Sequence, residues 1–286
     1  MPEGDTILRA AQALNRVLAG HTVTRFDSVF PALTRVAEDR PIVGRTIESV
    51  TARGKHLLMS FSGDLILRTH MRMNGSWHLY QPGAKWQRPS RDMRVLVGTA
   101  DAVAVGFNVP VAEWLTSREL ERHRQVSALG PDLLAGAGAQ YAYAIDVAEI
   151  VRRMRTHGRD AIAEVLLNQR VLAGIGNVFK SEILFAAGVS PFATVDSLTD
   201  ADLERIVGIA RDQLAANVLD RSRTLTPAIG RRTTRSLDPS AGLWVYSRRG
   251  RPCRRCGAAI QSKKTGIDVR PTYWCPNCQR LSGSVT

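Results

Sequence analysis

Residues 252–278 read PCRRCGAAIQSKKTGIDVRPTYWCPNC and contain every cysteine of the chain. Cys253, Cys256, Cys275 and Cys278 form the pattern C-x2-C-x18-C-x2-C. Two close pairs of thiolates at this separation suit a tetrahedral zinc ion. A pair of disulfides is the alternative, which an intracellular compartment disfavours. Because sulfur fills all four positions, we expect one structural Zn2+ with no open site for catalysis.

The segment between the two cysteine pairs predicts a β-hairpin. Strand-forming residues occur around Ile260 and in 269–273, on either side of a polar stretch. Lys263, Lys264 and Arg270 would then lie near the hairpin turn, where they could donate hydrogen bonds to phosphate groups. The segment therefore predicts a zinc-finger hairpin that contacts a polyanion.

The charge of the chain is concentrated near its end. The whole sequence has 39 Lys and Arg against 26 Asp and Glu, a net charge of +13. Residues 221–286 contain 14 Lys and Arg against two acids, a net charge of +12. Such a basic surface favours a nucleic-acid partner. A solvated basic face or contact with a membrane surface is the alternative, but no amphipathic membrane helix accompanies these charges.

The composition indicates a soluble intracellular protein with a substantial core. The 286 residues allow two domains and a small third module, and 44% of them are hydrophobic. No apolar run is long enough to span a membrane, and no secretory signal is readable. We therefore expect a cytoplasmic, nucleoid-associated monomer with no membrane partner.

The first part of the chain predicts one helix followed by many short strands. Apolar residues recur at helical spacing from Thr6 to Gly20, with Asp5 or Thr6 as the expected cap. Short runs of strand-forming residues, separated by turns, then favour an antiparallel β-sandwich or barrel. The predicted strands are Thr22–Phe26, Thr46–Arg53, His56–Phe61, Asp64–Arg68, Gly75–Tyr80, Met93–Gly98 and Ala102–Gly106.

The second part of the chain predicts helices. Gly130-Pro131-Asp132 and the small residues that follow indicate a hinge. We expect a β-sandwich domain over 1–125, a hinge over 126–140, a helical domain over 141–245 and the zinc module over 246–286. The clearest predicted helices are Val147–Thr156, Ile162–Leu167, Val178–Ala187 and Asp200–Asn217.

A glycine-bearing turn separates two of these helices. Residues 172–177 read LAGIGN, which places Asn177 and backbone N–H groups at the start of the next helix. Such a turn can hold a phosphate without reading base sequence. A turn that serves only packing is the alternative.

The first five residues, MPEGD, suggest a nucleophile. If Met1 is removed, Pro2 carries a free secondary amine, whose usual pKa leaves a reactive fraction at neutral pH. Glu3 is then placed to exchange protons with the atoms that the amine attacks. An ordinary start followed by a helix N-terminus is the alternative.

Two turns of the strand region carry further candidates. Lys55 follows Gly54 at a strand junction and is either an exposed turn lysine or an amine that contacts phosphate or handles protons. The loop at residues 70–75 places Arg72, Met73 and Asn74 side by side. An apolar side chain at a loop tip can fill the space that a flipped base leaves in a duplex, although a loop methionine usually just packs.

Together these motifs resemble the formamidopyrimidine-DNA glycosylase/endonuclease VIII family. The resemblance rests on the Met-Pro-Glu-Gly start, Gly54-Lys55, the run 173–177 and the finger at 270–279, so it covers nearly the whole chain. The start and the finger are more similar to the endonuclease VIII branch. The implied fold is α+β: an antiparallel β-sandwich with an N-terminal helix, a helix–two-turn–helix domain and a zinc-finger β-hairpin.

The resemblance implies a bifunctional DNA glycosylase and lyase of base-excision repair that acts on flipped-out lesions in duplex DNA held between its domains. By motif position, Pro2 would be the nucleophile, Glu3 the acid–base group and Lys55 an active-site lysine. Asn177 and Arg270 would grip the phosphates beside the lesion, and Arg270 also belongs to the catalytic set. Arg72, Met73 and Asn74 would fill the space left in the duplex.

The chain departs from the family pattern at two places. Thr6 stands where relatives often carry a second acid, so that acid's role cannot be transferred. The stretch 106–110, GFNVP, lacks the arginine pair of enzymes that excise oxidised purines, which tilts the expected substrate towards oxidised pyrimidines. An enzyme for oxidised purines, a non-catalytic zinc-containing DNA-binding protein of the same fold and an RNA-binding zinc ribbon are the alternatives.

Overall fold

A computed structural model describes residues 2–135, 145–218, 231–234, 236 and 238–280. Within these residues the chain forms two compact units, one over 2–128 and one from 129 onward. The predicted hinge at 126–140 ends in residues 136–140, which lie outside the described residues. The predicted domain boundaries therefore stay predictions.

The first unit is a β-sandwich. Its strands are β1 (Arg25–Ser28), β2 (Ile47–Arg53), β3 (His56–Phe61), β4 (Leu65–His70), β5 (Ser76–Tyr80), β6 (Met93–Gly98), β7 (Val103–Phe107) and β8 (Val111–Leu115). They form two antiparallel sheets of four strands each, in the orders β1-β6-β7-β5 and β2-β3-β4-β8. This architecture confirms the predicted antiparallel sandwich.

The N-terminal helix α1 (Gly4–Leu18) packs on this sandwich. Its Leu14 belongs to the same buried cluster as Leu57 of one sheet and Val97 of the other. The predicted cap was wrong, because the helix begins at Gly4 and its N-cap is Glu3. The acid Asp5 suits the first turn because the helix dipole favours negative charge there, and the helix starts two residues earlier than the apolar periodicity indicates.

Several elements of the first unit were not predicted. Helix α2 (Pro31–Asp39) interrupts the strands, and strand β8 closes one sheet against β4. Helices α3 (Ser117–Arg122) and α4 (Arg124–Ser127) follow β8. Pro31 at the first helical position and the single buried residue Leu33 show why the short α2 left little periodic signal.

The second unit is helical. Its helices are α5 (Val147–Arg155), α6 (Ile162–Val165), α7 (Asn177–Ala187) and α8 (Asp200–Val218), which agree with the predicted helical segments to within two residues at each end. Helix α7 is buried on nearly all sides. Across the described residues, the helices lack the combination of length and apolarity that crossing a membrane requires.

A glutamate of helix α7 binds the segment that leads into the cysteine module. The fully buried carboxylate of Glu182 accepts the backbone N–H groups of Trp244, Val245 and Tyr246 at 2.7 to 2.9 Å, and also the hydroxyl of Thr233. Hydrogen bonds of this kind compensate for the cost of burying the charge. Beyond this segment, β9 (Gln261–Thr265) and β10 (Arg270–Trp274) form the predicted antiparallel hairpin.

Candidate active site and nucleic-acid interface

The N-terminal residues lead directly into α1. Pro2 is half-buried and Glu3 is wholly buried. The backbone of Glu3 is extended (φ −126°, ψ −175°), and its carbonyl accepts the N–H of Ile7 at 3.0 Å. A carboxylate at the positive end of a helix is a stabilising arrangement. The fold therefore places the predicted acid–base group at a helix N-terminus, one residue from the predicted nucleophile.

Asp5 is a second buried acid in this first turn. It was predicted only as a helix cap, yet it is wholly buried, and the hydroxyl of Thr6 donates to its Oδ1 at 3.2 Å. Position 6 therefore supports an acid instead of supplying one.

Lys55 lies in a two-residue turn between β2 and β3. Arg53 and His56 are register partners, so Gly54 and Lys55 form the whole connection. Gly54 has φ +58°, a conformation that glycine adopts without steric cost and that two-residue hairpin turns require. Lys55 is half-buried. The turn thus holds the lysine in a defined place between the partly exposed strand β2 and the largely buried strand β3.

Two histidines lie directly behind this turn. His56 and His70 are register partners on β3 and β4, and their ring centroids are 4.9 Å apart. Burial, followed by the charge of Arg68, lowers the pKa of His56 to about 2. Burial, followed by the charges of Arg68, Lys55 and Arg72, lowers the pKa of His70 to about 4. Both rings are therefore neutral at neutral pH.

A buried arginine supports these rings. Arg68 is 1% exposed, and its Nε donates to Nδ1 of His56 at 3.2 Å. Its two terminal nitrogens donate to Glu113 and, at 2.7 Å, to Oε1 of Gln125. Glu113 also lies 3.0 Å from Nε2 of His123. The sequence signal for this network is an arginine that directly follows three apolar residues in the strand LILRTH.

The loop between β4 and β5 presents the three predicted space-filling residues to solvent. Arg72, Met73 and Asn74 are exposed, and the side chain of Met73 is 62% exposed. Met71, by contrast, is buried in the core. A Cβ on Gly75 would lie 2.5 Å from the carbonyl oxygen of Met71, so only glycine fits this tight loop.

The predicted glycine-bearing turn delivers Asn177 to the first position of α7. Gly174 has φ +106°, and its N–H donates to Oε1 of Gln169 at 3.1 Å. Nε2 of Gln169 donates to the carbonyl of Ile175 at 3.0 Å, so one amide side chain, which was not predicted, holds the turn. The amide Nδ2 of Asn177 donates to the carbonyl of Pro271 at 2.8 Å. The structure thus brings Asn177 to the residue that follows Arg270.

The hairpin displays the predicted cations. Lys263 and Lys264 are exposed on β9, and Arg270 begins β10. Nη2 of Arg270 lies 2.7 Å from Oδ2 of Asp268, and both side chains are substantially exposed, at 41% and 69%. The predicted phosphate-binding arginine is therefore paired with a carboxylate two residues away.

The four cysteines form one structural zinc site. Their sulfur atoms all lie within 4.8 Å of one another, with 4.0 Å between Cys253 and Cys278 and 3.4 Å between Cys256 and Cys275. All four are free thiols. Four sulfurs at ~2.3 Å from a tetrahedral zinc ion would be ~3.8 Å apart, so the donor set fits the ion.

Family models match three consecutive parts of the chain. Residues 1–110 match the formamidopyrimidine-DNA glycosylase N-terminal domain, and residues 134–227 match the H2TH domain of the same enzyme. Residues 250–281 match a zinc finger found in this glycosylase and in isoleucyl-tRNA synthetase.

Several relatives are similar over nearly their whole length. A probable endonuclease 8 2 of Streptomyces coelicolor is 42% identical, over 98% of this chain and 94% of the relative. The DNA-(apurinic or apyrimidinic site) lyase Nei2 of Mycolicibacterium smegmatis is 38% identical, over 99% of this chain and 100% of the relative. The Fpg protein of Lactococcus lactis, solved in complex with DNA containing an abasic site, matches with a TM-score of 0.78 at 22% identity, over 98% of this chain and 100% of that one. This structural likeness confirms the predicted fold.

Proposed function

The chain belongs to the formamidopyrimidine-DNA glycosylase/endonuclease VIII family, and on this premise we propose that it is a bifunctional DNA glycosylase and apurinic/apyrimidinic lyase of base-excision repair. The observation that carries the proposal is the end-to-end likeness, at 42% and 38% identity, to proteins named as an endonuclease 8 and as such a lyase. The buried Glu3 directly after the half-buried Pro2 supports it.

The proposed chemistry begins at the nitrogen of Pro2. Once Met1 is removed, the lone pair of this nitrogen attacks C1′ of the damaged nucleoside, and the bond from C1′ to the base breaks with the electron pair leaving on the base. The nitrogen loses its proton in this step, and the departing base gains one, so a neutral tertiary amine remains on C1′. Glu3 donates a proton to the sugar ring oxygen as the ring opens, which yields an iminium between Pro2 and C1′.

Strand cleavage follows from the same intermediate. The iminium withdraws electrons from C2′, so a proton is lost there and the C3′–O bond breaks, which releases the 3′ phosphate. A second elimination, which expels the 5′ phosphate, completes a β/δ sequence. We place Lys55 beside the phosphates and the elimination chemistry, in a turn backed by the neutral pair His56 and His70.

Phosphate binding is assigned to the second unit. Asn177 donates a hydrogen bond to the carbonyl of Pro271, the residue after Arg270, so the turn before α7 and the start of β10 can hold neighbouring phosphates. The exposed Lys263 and Lys264 add positive charge on the same hairpin. Contacts of this kind fix the register of DNA without reading its sequence.

Exposure supports a role for the β4–β5 loop in lesion recognition. Arg72, Met73 and Asn74 project from a loop that Gly75 holds tightly, so these side chains are available to enter a duplex after base flipping. Oxidised pyrimidines are the proposed lesions, because 106–110 lacks the arginine pair. Duplex DNA of the cytoplasmic nucleoid is the proposed partner, and the enzyme is proposed to act as a monomer.

Borohydride trapping tests the proposal. Incubation with duplex DNA carrying an oxidised pyrimidine or an abasic site, followed by reduction, is expected to give a covalent adduct. The matched control is a chain whose N-terminal extension converts the nitrogen of Pro2 to a tertiary amide while every side chain stays in place, and it should give no adduct. Pro2→Gly should reduce the yield.

The outcomes separate the candidate functions. Mass spectrometry of the active preparation should show that Met1 is absent. A wild-type chain with a free Pro2 that binds damaged DNA but forms no adduct would instead be a non-catalytic DNA-binding protein. A preference for RNA over damaged duplex in competition would favour the RNA-binding alternative.

A further inference from the structure

Lys180 is a fully buried charged residue in the first turns of α7. Lysine is almost never fully buried unless its charge is compensated, because removing an ammonium group from water is costly. Its Nζ donates to Oδ1 of Asn177 at 2.8 Å and to Oγ1 of Thr272 at 2.7 Å. This buried cation therefore contacts the helix residue that is proposed to bind phosphate and also the hairpin strand that begins with Arg270.

The hydrogen bonds continue from Lys180 to a carboxylate. Oγ1 of Thr272 lies 2.7 Å from Oγ1 of Thr265, and Thr265 donates its hydroxyl hydrogen to Oε1 of Glu164 at 2.7 Å. Each hydroxyl has one hydrogen, so Thr272 accepts from Lys180 and donates to Thr265. All bonds in the series Lys180–Thr272–Thr265–Glu164 thus run in one direction, from the cation to the anion.

This series connects four separate elements. Glu164 lies on α6, Lys180 on α7, Thr265 on β9 and Thr272 on β10. The hairpin turn also lies directly against the carboxylate, because a Cβ on Gly266 would clash with Oε2 of Glu164. The hairpin is therefore attached to the helices at its turn as well as along β10.

The same lysine orients the amide of Asn177. Because Nζ of Lys180 donates to the amide oxygen, the amide nitrogen points the other way and donates to the carbonyl of Pro271. Pro271 follows Arg270 directly. The orientation of the Asn177 amide therefore determines a hydrogen bond to the backbone next to Arg270, the other residue proposed to bind phosphate.

We propose that Lys180, Thr272, Thr265 and Glu164 are positioning residues that hold Asn177 and Arg270 in a fixed relation before DNA binds. This inference rests on the proposed function, since it assumes that Asn177 and Arg270 bind phosphates. Preorganised ligands avoid the cost of ordering side chains and a hairpin at the moment of binding. The series supports DNA affinity and takes no part in bond breaking.

Thr272→Val tests this role at the centre of the series. Valine keeps the shape of threonine and removes the hydroxyl that links Lys180 to Thr265. The dissociation constant for duplex DNA with a tetrahydrofuran abasic analogue is expected to rise about tenfold, as for loss of a hydrogen bond to a charged group. The rate of borohydride-trapped adduct formation at saturating abasic DNA should not change. Thr272→Ser restores the hydroxyl and should bind as the wild type does.

A double variant distinguishes positioning from general destabilisation. If Thr272 acts largely through Asn177, the double variant Asn177→Ala, Thr272→Val should weaken binding, relative to the wild type, by much less than the product of the two single effects, since coupled residues are not additive. Zinc content and melting temperature are measured for each variant. Full additivity, or a failure of Thr272→Ser to restore affinity, would overturn the proposal.

The proposal and the function on which it rests fail in different ways. A wild-type chain that neither binds the abasic analogue nor forms an adduct would contradict the function itself. A wild-type chain that does both, with a Thr272→Val variant of unchanged affinity, would leave the function standing and refute the positioning role alone.

Discussion

At the scale of single residues, the charged side chains of this protein are divided between buried positions and exposed ones. Glu3, Arg68, Lys180 and Glu182 are almost wholly buried, although charged residues normally face water. Arg270 and Asp268 form an exposed pair instead. Buried charges depend on specific partners, whereas exposed pairs contribute little, so substitutions in the two groups should have effects of very different size.

Glu3→Gln is expected to abolish base excision while DNA affinity is kept. Glutamine has the shape of glutamate but cannot supply a proton, and loss of a general acid–base group typically lowers rates by about 10²- to 10⁴-fold. Single-turnover excision from saturating DNA with an oxidised pyrimidine measures the rate, and binding to a tetrahydrofuran duplex measures affinity. Weakened binding of the same size as the loss of rate would contradict the acid–base role.

Asp268→Asn is expected to tighten DNA binding by about two- to fivefold, the range that corresponds to an exposed ion pair. The substitution removes a carboxylate that competes with phosphate for Arg270. Binding titrations at low salt measure the change, with Asp101→Asn, an exposed acid of the first unit, as the charge-matched control. An equal gain in the control would mean that net charge alone is responsible.

At the scale of elements, the strand pair β3 and β4 should make stability depend on pH. The folded pKa of His56 is about 2, below its ordinary value of 6.5, so the unfolded chain binds a proton more readily than the folded chain does. Stability contributed by the neutral ring is therefore present above about pH 6.5 and is lost as the pH falls below it. His70, with a pKa of about 4, acts in the same direction.

His56→Asn is expected to reduce this pH dependence. Asparagine can still accept the hydrogen bond from Arg68, but it does not titrate. Below about pH 6, the free energy of unfolding of the wild type should fall more steeply than that of the variant, by up to about 1.4 kcal/mol per pH unit. Urea unfolding at several pH values between about 7 and 5 gives the slope of the free energy of unfolding against pH for the wild type and for the variant. Identical slopes would show that His56 is not the group whose protonation is linked to folding.

At the scale of the whole molecule, zinc should support DNA binding and not the chemistry at Pro2. The zinc site and Arg270 belong to the same module, whereas Pro2 belongs to the other unit. Chelation is expected to unfold the module and weaken DNA binding, because folding of small zinc modules depends on the metal. Adduct formation on an abasic site at saturating DNA should continue, and restoring zinc should restore affinity. Activity that varied with the identity of a substituted metal would contradict a structural role.

The amino-acid sequence by itself determined the features that depend on neighbours along the chain. The cysteine spacing predicts the zinc site, alternating strand-forming residues predict the sandwich, and helical periodicity predicts the helices of the second unit. Such patterns are readable because a hairpin, a helix or a four-cysteine module is specified within a few tens of residues. The same reason makes five candidate site residues identifiable, since each lies in a short motif: Pro2, Glu3, Lys55, Asn177 and Arg270.

Only the tertiary structure decided how the buried charges are paired. Lys180 meets Thr272 across 92 positions, Glu182 meets Val245 across 63, and Arg68 meets Glu113 across 45. No local pattern can identify partners at these separations, because the energy of a buried charge depends on which distant groups the fold brings within hydrogen-bond distance. The short motifs therefore indicated which residues take part, while packing determined which side chains hold them in place.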